Sequence, residues 1–527
     1  MSTPGTEKTR FLVMGLDGAS FNLIQPWLDA GLLPNFQRLI EAGASGELDS
    51  CTPPVTMPAW RVYSTGKYPG KLGVFWHQQL NPETLEVQTP NATFITSRNV
   101  WDYLNAAGIR TGILGMPDTY PPQQLDGFLV SGPPNSASDG YTYPAELQSI
   151  VEGTGYQPYL KADFQEARQD SAIVRDTLEL IEKTFEAGEL LLDREKVDFL
   201  QVVSYHINKL QHVFYDGEPT LHAWQIADRW LGRMRQRFDY VLVHSDHGTE
   251  RVKKAFFLNV WLRQHGYLNT RSHPTDVLLG LGLNRSNLGR LATRLGITRL
   301  FTFETLVKLG SILPTRAGGF GEFGNLAATR RVDWTRTRAF ALPQGPVYIN
   351  RKLVPNDHDY EALRDELISG MSKIEDPGTG LPVFRKIYRR EEIYHGPFVD
   401  RAPHLLAISL DSYHNRAGLT QANVFASSWD WKGNNRQQGL FILSGPGVRP
   451  TRLPNARIVD LVPTILRLYN VRAPGDLDGR VLVDALHGAL AVPLPMSVAD
   501  LGARQLGEVD DDFDETVRKR LEGLGYL

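Results

Sequence analysis

The sequence predicts an α/β fold, and three observations carry the prediction. Short apolar runs alternate with longer stretches of helical spacing along most of the chain. The runs close on glycine, a polar residue or an acid, as strands do at the ligand-binding edge of an open parallel sheet. With 527 residues, 42% of them apolar and 22% charged, the chain can bury a large core at an ordinary globular composition.

FLVMGLDG (11–18) reads as a buried strand that opens into a loop at Asp17. The following SFNLIQPWLDAGLLPNFQRLIEAG has helical spacing interrupted by prolines. CTPPVTMPAW (51–60) carries three prolines, which argue against regular helix and a central strand and leave a rigid loop holding Thr56. Taken alone, Thr56 is an ordinary turn hydroxyl, and its significance depends on what converges on it. Further strands are expected in RTGILGMP (110–117), GFLVSG (127–132), VDFLQVVSYH (197–206), DYVLVHSDHG (239–248), HLLAISL (404–410) and GLFILSGPG (439–447). Helical connections are expected at 170–196, 220–237 and 456–470.

Residues 268–333 break the alternation with a Gly-, Arg-, Leu- and Ser-rich run that reads as an inserted, mostly helical cap. Its GLGLNRSNLG stretch lacks the strand–turn–helix context of a dinucleotide fingerprint. The chain therefore divides into a discontinuous core (9–268 and 334–490), the cap (269–333) and a tail (491–527). Acids early and bases late in EVDDDFDETVRKRLEGLGYL suit a terminal helix in that tail.

A net charge of −3 gives no electrostatic case for nucleic acid or an anionic membrane, and no basic stripe or stacking pattern suggests base recognition. The single cysteine, Cys51, excludes an internal disulfide and a Cys-based zinc site. No run of 18 apolar residues appears, and the apolar stretch before Asp17 is short for a signal peptide, so a cytoplasmic protein is expected.

Asp17, Thr56, Asp246–His247 and His212 all fall at or just beyond strand ends. Carboxylates, imidazoles and an ionised hydroxyl form a donor set for zinc or manganese, and within reach of calcium or magnesium. Each also has a plain explanation: Asp17 as a helix cap, His212 as a core histidine, Asp246–His247 as a turn before Gly248. Their shared place on one sheet edge favours the metal reading.

The chain resembles the type I phosphodiesterase/nucleotide pyrophosphatase family of the alkaline phosphatase superfamily. The resemblance runs through GLDGASFNLIQPWLDAGLLPNFQRLIEAG, CTPPVTMPAWRVYSTGKYPGKLGVF, MPDTYPP, LVSG, TYPAEL, NVWLRQHGYL, VDWTRTRAFAL, VYIN, REEIYHGP, GLFILSGPG and RLEGLGYL. Only the cap, roughly 269–330, lacks a counterpart. Relatives place the nucleophile nine residues before a Thr-Gly-Lys/Arg-Tyr-Pro block, and TGKYP begins here at Thr65. The resemblance implies a three-layer sandwich with a mainly parallel central sheet and two metal ions flanking Thr56. It assigns Asp17, Thr56, Asp246 and His247 to one metal. The other metal takes an Asp four residues before a His, and a later His. Here those positions hold Asn208, His212 and Asn435.

One site is thus whole, and the other has lost a carboxylate and an imidazole. The resemblance then implies a metal-dependent phosphoryl-transfer enzyme, phosphodiesterase- or pyrophosphatase-like, with Thr56 as covalent nucleophile and one tightly bound divalent ion, zinc first. Lys209, Lys432, Arg436 and His206 are expected to stand in for the missing cation, as basic side chains do in one-metal sulfatases and phosphonate monoester hydrolases. Asn208 and Asn435 are expected to donate hydrogen bonds to the substrate. The alternatives are a sulfatase-like enzyme, a sulfuryl, sulfamoyl or phosphoryl transferase, and a catalytically weak binding or scaffold relative. The expected partner is a small-molecule phosphate or sulfate ester.

Overall fold

Ten strands hydrogen-bond into one sheet: β1 (Phe11–Leu16), β2 (Ala44–Asp49), β3 (Thr111–Pro117), β4 (Gly127–Gly132), β5 (Thr142–Tyr143), β6 (Phe199–Ser204), β7 (Tyr240–His244), β8 (Gln438–Ser444), β9 (Thr451–Arg452) and β10 (Ala456–Arg457). The computed structural model describes residues 8–134, 139–158, 171–271, 331–419, 423–428, 431–492 and 494. The strand order is β9-β2-β8-β7-β1-β6-β3-β4-β5, with β10 also paired to β2. β1 runs parallel to both β6 and β7, and β3 runs parallel to β4 and β6. Strands covered on both faces read as continuous apolar runs, which is why FLVMGL and YVLVH show no alternation.

The helices divide over the two faces. Thr56–Thr65 (α1), Ser171–Glu195 (α2), His206–Phe214 (α3), Glu218–Met234 (α4) and Leu461–Leu468 (α5) are the ones that position the site. Phe11 and Val13 of β1 join a core with Trp60 and Tyr63 of α1 and Val462 and Leu466 of α5. Leu12, Met14 and Leu16 join the opposite core with Leu191 of α2, Leu210 of α3 and Trp224 of α4. Successive side chains of one strand thus feed two cores, and three layers result.

Three expectations need correction. GLFILSGPG is antiparallel to its neighbours β2 and β7, so the beginning of β8, not its end, lies at the edge shared with the parallel strands. HLLAISL lies outside the central sheet: Leu405–Ser409 pairs antiparallel within a separate four-stranded sheet with Pro346–Ile349 and Phe384–Arg389. The proline-rich stretch is not loop throughout, because Thr56 is the first residue of α1 and Pro58 lies in its first turn. There the proline's missing N–H leaves no helical bond unmade. The body of the expected cap and nearly all of the tail lie outside the described residues, but Thr270 and Val332 bridge antiparallel, so the chain leaves and re-enters at one place. Among the described residues no helix is long and apolar enough to cross a membrane.

Gly15 shows how the core sets the site. A Cβ on this residue would lie 2.6 Å from the Trp60 ring and 3.0 Å from Val203. Trp60 cannot yield easily, since it packs edge-on to Tyr63 and His244. Gly15→Ala should therefore cost about 1–3 kcal/mol by overpacking. A thermal melt checks this, and an unchanged midpoint would contradict the packing described.

Candidate functional site

Parallel strands place the ends of β1, β2, β6 and β7 on one edge, and the chemistry-bearing residues follow them directly. Asp17 succeeds β1, Asp246 and His247 succeed β7, α3 begins one residue after Tyr205 beyond β6, and the loop after β2 leads to Thr56. All four of Asp17, Thr56, Asp246 and His247 are buried. One atom from each of Asp17, Asp246 and His247 lies within 4.8 Å of the others. His247 Nε2 stands 3.3 Å from Thr56 Oγ1, 3.2 Å from Asp246 Oδ2 and 3.7 Å from Asp17 Oδ1.

The protons around this cluster follow from its neighbours. His247 Nδ1 lies 2.9 Å from the Gly248 carbonyl, which only accepts, so Nδ1 carries the hydrogen and Nε2 presents a lone pair. Asp17 Oδ2 accepts the Trp60 indole N–H at 3.0 Å, and Asp246 Oδ1 accepts the Gly18 N–H at 3.1 Å. Asp17 Oδ1 and Asp246 Oδ2 accept no hydrogen bond among the described residues. Two carboxylate oxygens, an imidazole lone pair and a hydroxyl therefore converge, and with both acids ionised the hydroxyl hydrogen is the one proton they share. Burial pushes the Asp17 carboxyl up to about 7, against the pull of the Trp60 N–H, the Lys209 ammonium and the Asn208 amide. Burial, then the Asp17 charge, holds Asp246 well above the carboxylate range, while burial lowers His247 to about 4. A divalent cation removes the conflict and favours the ionised acids. Two carboxylates, one imidazole and a hydroxyl fit zinc or manganese.

Thr56 is held from three sides. Asn435 Nδ2 donates to the Pro54 carbonyl at 2.9 Å, Tyr394 donates to the Thr52 carbonyl at 2.9 Å, and Ser50 donates to the Asp246 carbonyl at 2.6 Å. Its place at the start of α1 also sets it at the positive end of a helix, where an anion is favoured.

The altered half of the site is formed by α3 and a two-stranded ribbon, Gly248–Arg251 with Gly433–Arg436, which sets Asn435 opposite Thr249. His206, Asn208, Lys209 and His212 are all buried. His212 donates from Nδ1 to the Gly433 carbonyl at 2.9 Å and stacks on Trp431 with ring centres 3.9 Å apart. Burial and the Lys209 charge hold His212 well below its ordinary value and His206 down to about 3. Burial lowers Lys209 too, against the pull of Asp17.

Arg436 is placed differently from expectation, and Asn435 and Lys432 make bonds that the sequence did not show. One hydrogen of the Asn435 nitrogen goes to the Pro54 carbonyl, which can only accept, and its oxygen has no hydrogen-bond partner among the described residues. Arg436 turns its guanidinium toward Glu250 at 3.6 Å and Glu47 at 3.8 Å, since both acids lie beside the ribbon. Lys432 is half-buried, and its backbone N–H donates to the His212 carbonyl.

His77 is a buried histidine that sequence reasoning passed over, and burial first, then the charges of Lys209 and His247, lowers it to about 3. It comes from WHQQ, a loop without metal-ligand spacing, so only tertiary placement reveals it. Trp60, which holds Asp17, stood in the quoted proline stretch but carried no sign of that bond.

The sequence model of the family described as Type I phosphodiesterase / nucleotide pyrophosphatase matches residues 11–430. No curated protein matches the chain. Among solved structures, phosphonoacetate hydrolase from Sinorhizobium meliloti 1021 in complex with phosphonoformate is similar at a TM-score of 0.56 and 15% identity, over 86% of this chain and 94% of that one. The same enzyme in complex with phosphonoacetate is similar at 0.56 and 14% identity over the same shares. Human ectonucleotide pyrophosphatase / phosphodiesterase 5 is similar at 0.49 and 13% identity, over 92% of this chain and 100% of that one. The phosphonoacetate hydrolase likeness shows a shared α/β fold.

Zinc or manganese at a thousand times its dissociation constant should stabilise the chain by about 4 kcal/mol, raising the thermal midpoint, with chelation reversing the rise. Asp246→Asn should abolish most of that shift. A melt with and without metal reads both, and an Asp246→Asn protein that responds like the wild type would place the cation elsewhere.

Proposed function

The chain belongs to the type I phosphodiesterase/nucleotide pyrophosphatase family, and from that premise we propose a divalent-metal-dependent enzyme that transfers a phosphoryl group from a small-molecule ester by way of Thr56. One observation carries the proposal: the buried Thr56 hydroxyl lies 3.3 Å from His247 Nε2, in the cluster formed with Asp17 and Asp246. Those three side chains would hold one ion, with zinc first among the candidates. When bound, the cation supplies positive charge that favours an ionised hydroxyl and a negatively charged transition state.

The chain's own residues supply the rest. The Thr52, Pro54 and Ser50 contacts hold the hydroxyl in one place, which lowers the cost of reaching an in-line geometry. The start of α1 favours the negative charge of the transferred group. Lys209 brings a buried amine, whose charged form burial opposes and Asp17 favours, to the side where two-metal relatives, by the resemblance, hold their other ion. Thr56 Oγ1 bonds to phosphorus as the ester P–O bond breaks, and water or an alcohol then takes the phosphoryl group from the threonine.

A sulfuryl-transfer reading draws on the same single-cation arrangement, and a binding protein without turnover draws on the neutral Asn208 and Asn435. A panel of nitrophenyl phosphate mono- and diesters, phosphonates and sulfates separates them. Thr56→Ala should lower turnover of the best ester by at least about a thousandfold while fold and metal content persist. Turnover retained in that variant removes the proposed role of Thr56.

A further inference from the structure

Side-chain amides reveal their orientation when a neighbour can only donate or only accept. The indole N–H of Trp224 on α4 lies 3.2 Å from Gln211 Oε1, and an indole can only donate. Gln211 must therefore turn its nitrogen the other way, where it reaches the Asp17 carbonyl at 3.0 Å and Asn208 Oδ1 at 3.2 Å. Thr249 adds to the same constraint, since its hydroxyl hydrogen goes to the Gly18 carbonyl at 2.7 Å and its oxygen lies 3.4 Å from the Gln211 nitrogen. The Asn208 oxygen is thus consumed inside the protein. Its nitrogen, on a fully buried side chain, makes no hydrogen bond of ordinary geometry among the described residues and lies on the Asp17 side, where the amide lowers the Asp17 carboxyl.

Gly18 makes this approach possible. Its φ is +70°, and a Cβ there would lie 2.4 Å from Asn208 Oδ1 and 2.7 Å from the Gln211 nitrogen. Asn208 and His212 are one turn apart on the same face of α3, and Lys209 adjoins them. An asparagine binds a cation through oxygen, and here that oxygen is turned away. An amide N–H2 beside the Lys209 amine presents donors, which suit an anion.

We propose that Trp224 and Gln211 lock Asn208 with its NH2 group facing the space beside Asp17, so that this space takes an oxygen of an anionic tetrahedral group and excludes a second metal ion. Asn208 is then a substrate-binding donor, and Gln211 and Trp224 are positioning residues. The inference rests on the phosphoryl-transfer reading only for the identity of the ester that brings the oxygen.

The test uses the full chain, zinc in excess followed by dialysis, elemental analysis for bound zinc, and calorimetry with inorganic phosphate. Wild type should hold one zinc. Asn208→Asp, nearly isosteric, should hold one more zinc than wild type. Asn208→Leu should keep the wild-type zinc content and bind phosphate at least tenfold more weakly. Trp224→Phe, which releases the lock, should weaken phosphate in the same direction by severalfold with zinc unchanged. An Asn208→Asp protein with no added zinc, a wild type holding two zinc ions, or an Asn208→Leu protein that binds phosphate as wild type does would overturn the inference. Loss of turnover in Thr56→Ala is a separate measurement. Its failure would remove the catalytic reading and leave these differences between variants readable.

Discussion

Four electron-rich atoms brought together in a buried space is the constraint on which the rest of the structure depends. Asp17 Oδ1, Asp246 Oδ2, His247 Nε2 and Thr56 Oγ1 meet there, and with both acids ionised only the Thr56 hydroxyl brings a hydrogen. Buried acids of this kind resist ionisation unless positive charge accompanies them. Each acid has one oxygen tethered to the protein and the other directed inward. The tethers hold the geometry, and the inward atoms define where a cation is favoured.

The fold supplies that convergence by direction of travel. Parallel strands end on one edge, so residues far apart in sequence meet just beyond β1 and β7. Helices on both faces exclude water beneath the edge. Gly15 and Gly18 let Trp60 and α3 come close enough to touch Asp17 and its backbone. The helix start at Thr56 and the bond from Asn435 to Pro54 then aim the hydroxyl into the same space.

The two halves of the site differ in polarity as well as in ligand count. On one side the atoms presented are acceptors, which suit a cation. On the other, the buried amine of Lys209 and the nitrogen of Asn208 present donors, which suit an anion. Replacing a carboxylate with an amide at position 208 removes a charge, and the Gln211 and Trp224 contacts go further by selecting which end of the amide faces in.

Most of the central sheet was legible because strands buried on both faces must be apolar runs, and FLVMGL, FLQVVS and YVLVH could be read so. Asp17 and Asp246–His247 were legible for the same reason, as polar residues closing such runs. The direction of β8 was not, since an apolar strand looks the same read either way. Nor was the helical start at Thr56, because a proline near a helix N-terminus and a proline in a loop give the same letters. Gln211 and Trp224 escaped notice because their roles rest on contacts across the fold. By itself the sequence determined the α/β class and the chemical types of the cluster, through local patterns of burial and residue identity. The tertiary structure alone decided which way each amide faces and which cations reach the site, because a hydrogen bond's direction depends on the partner that folding brings beside it.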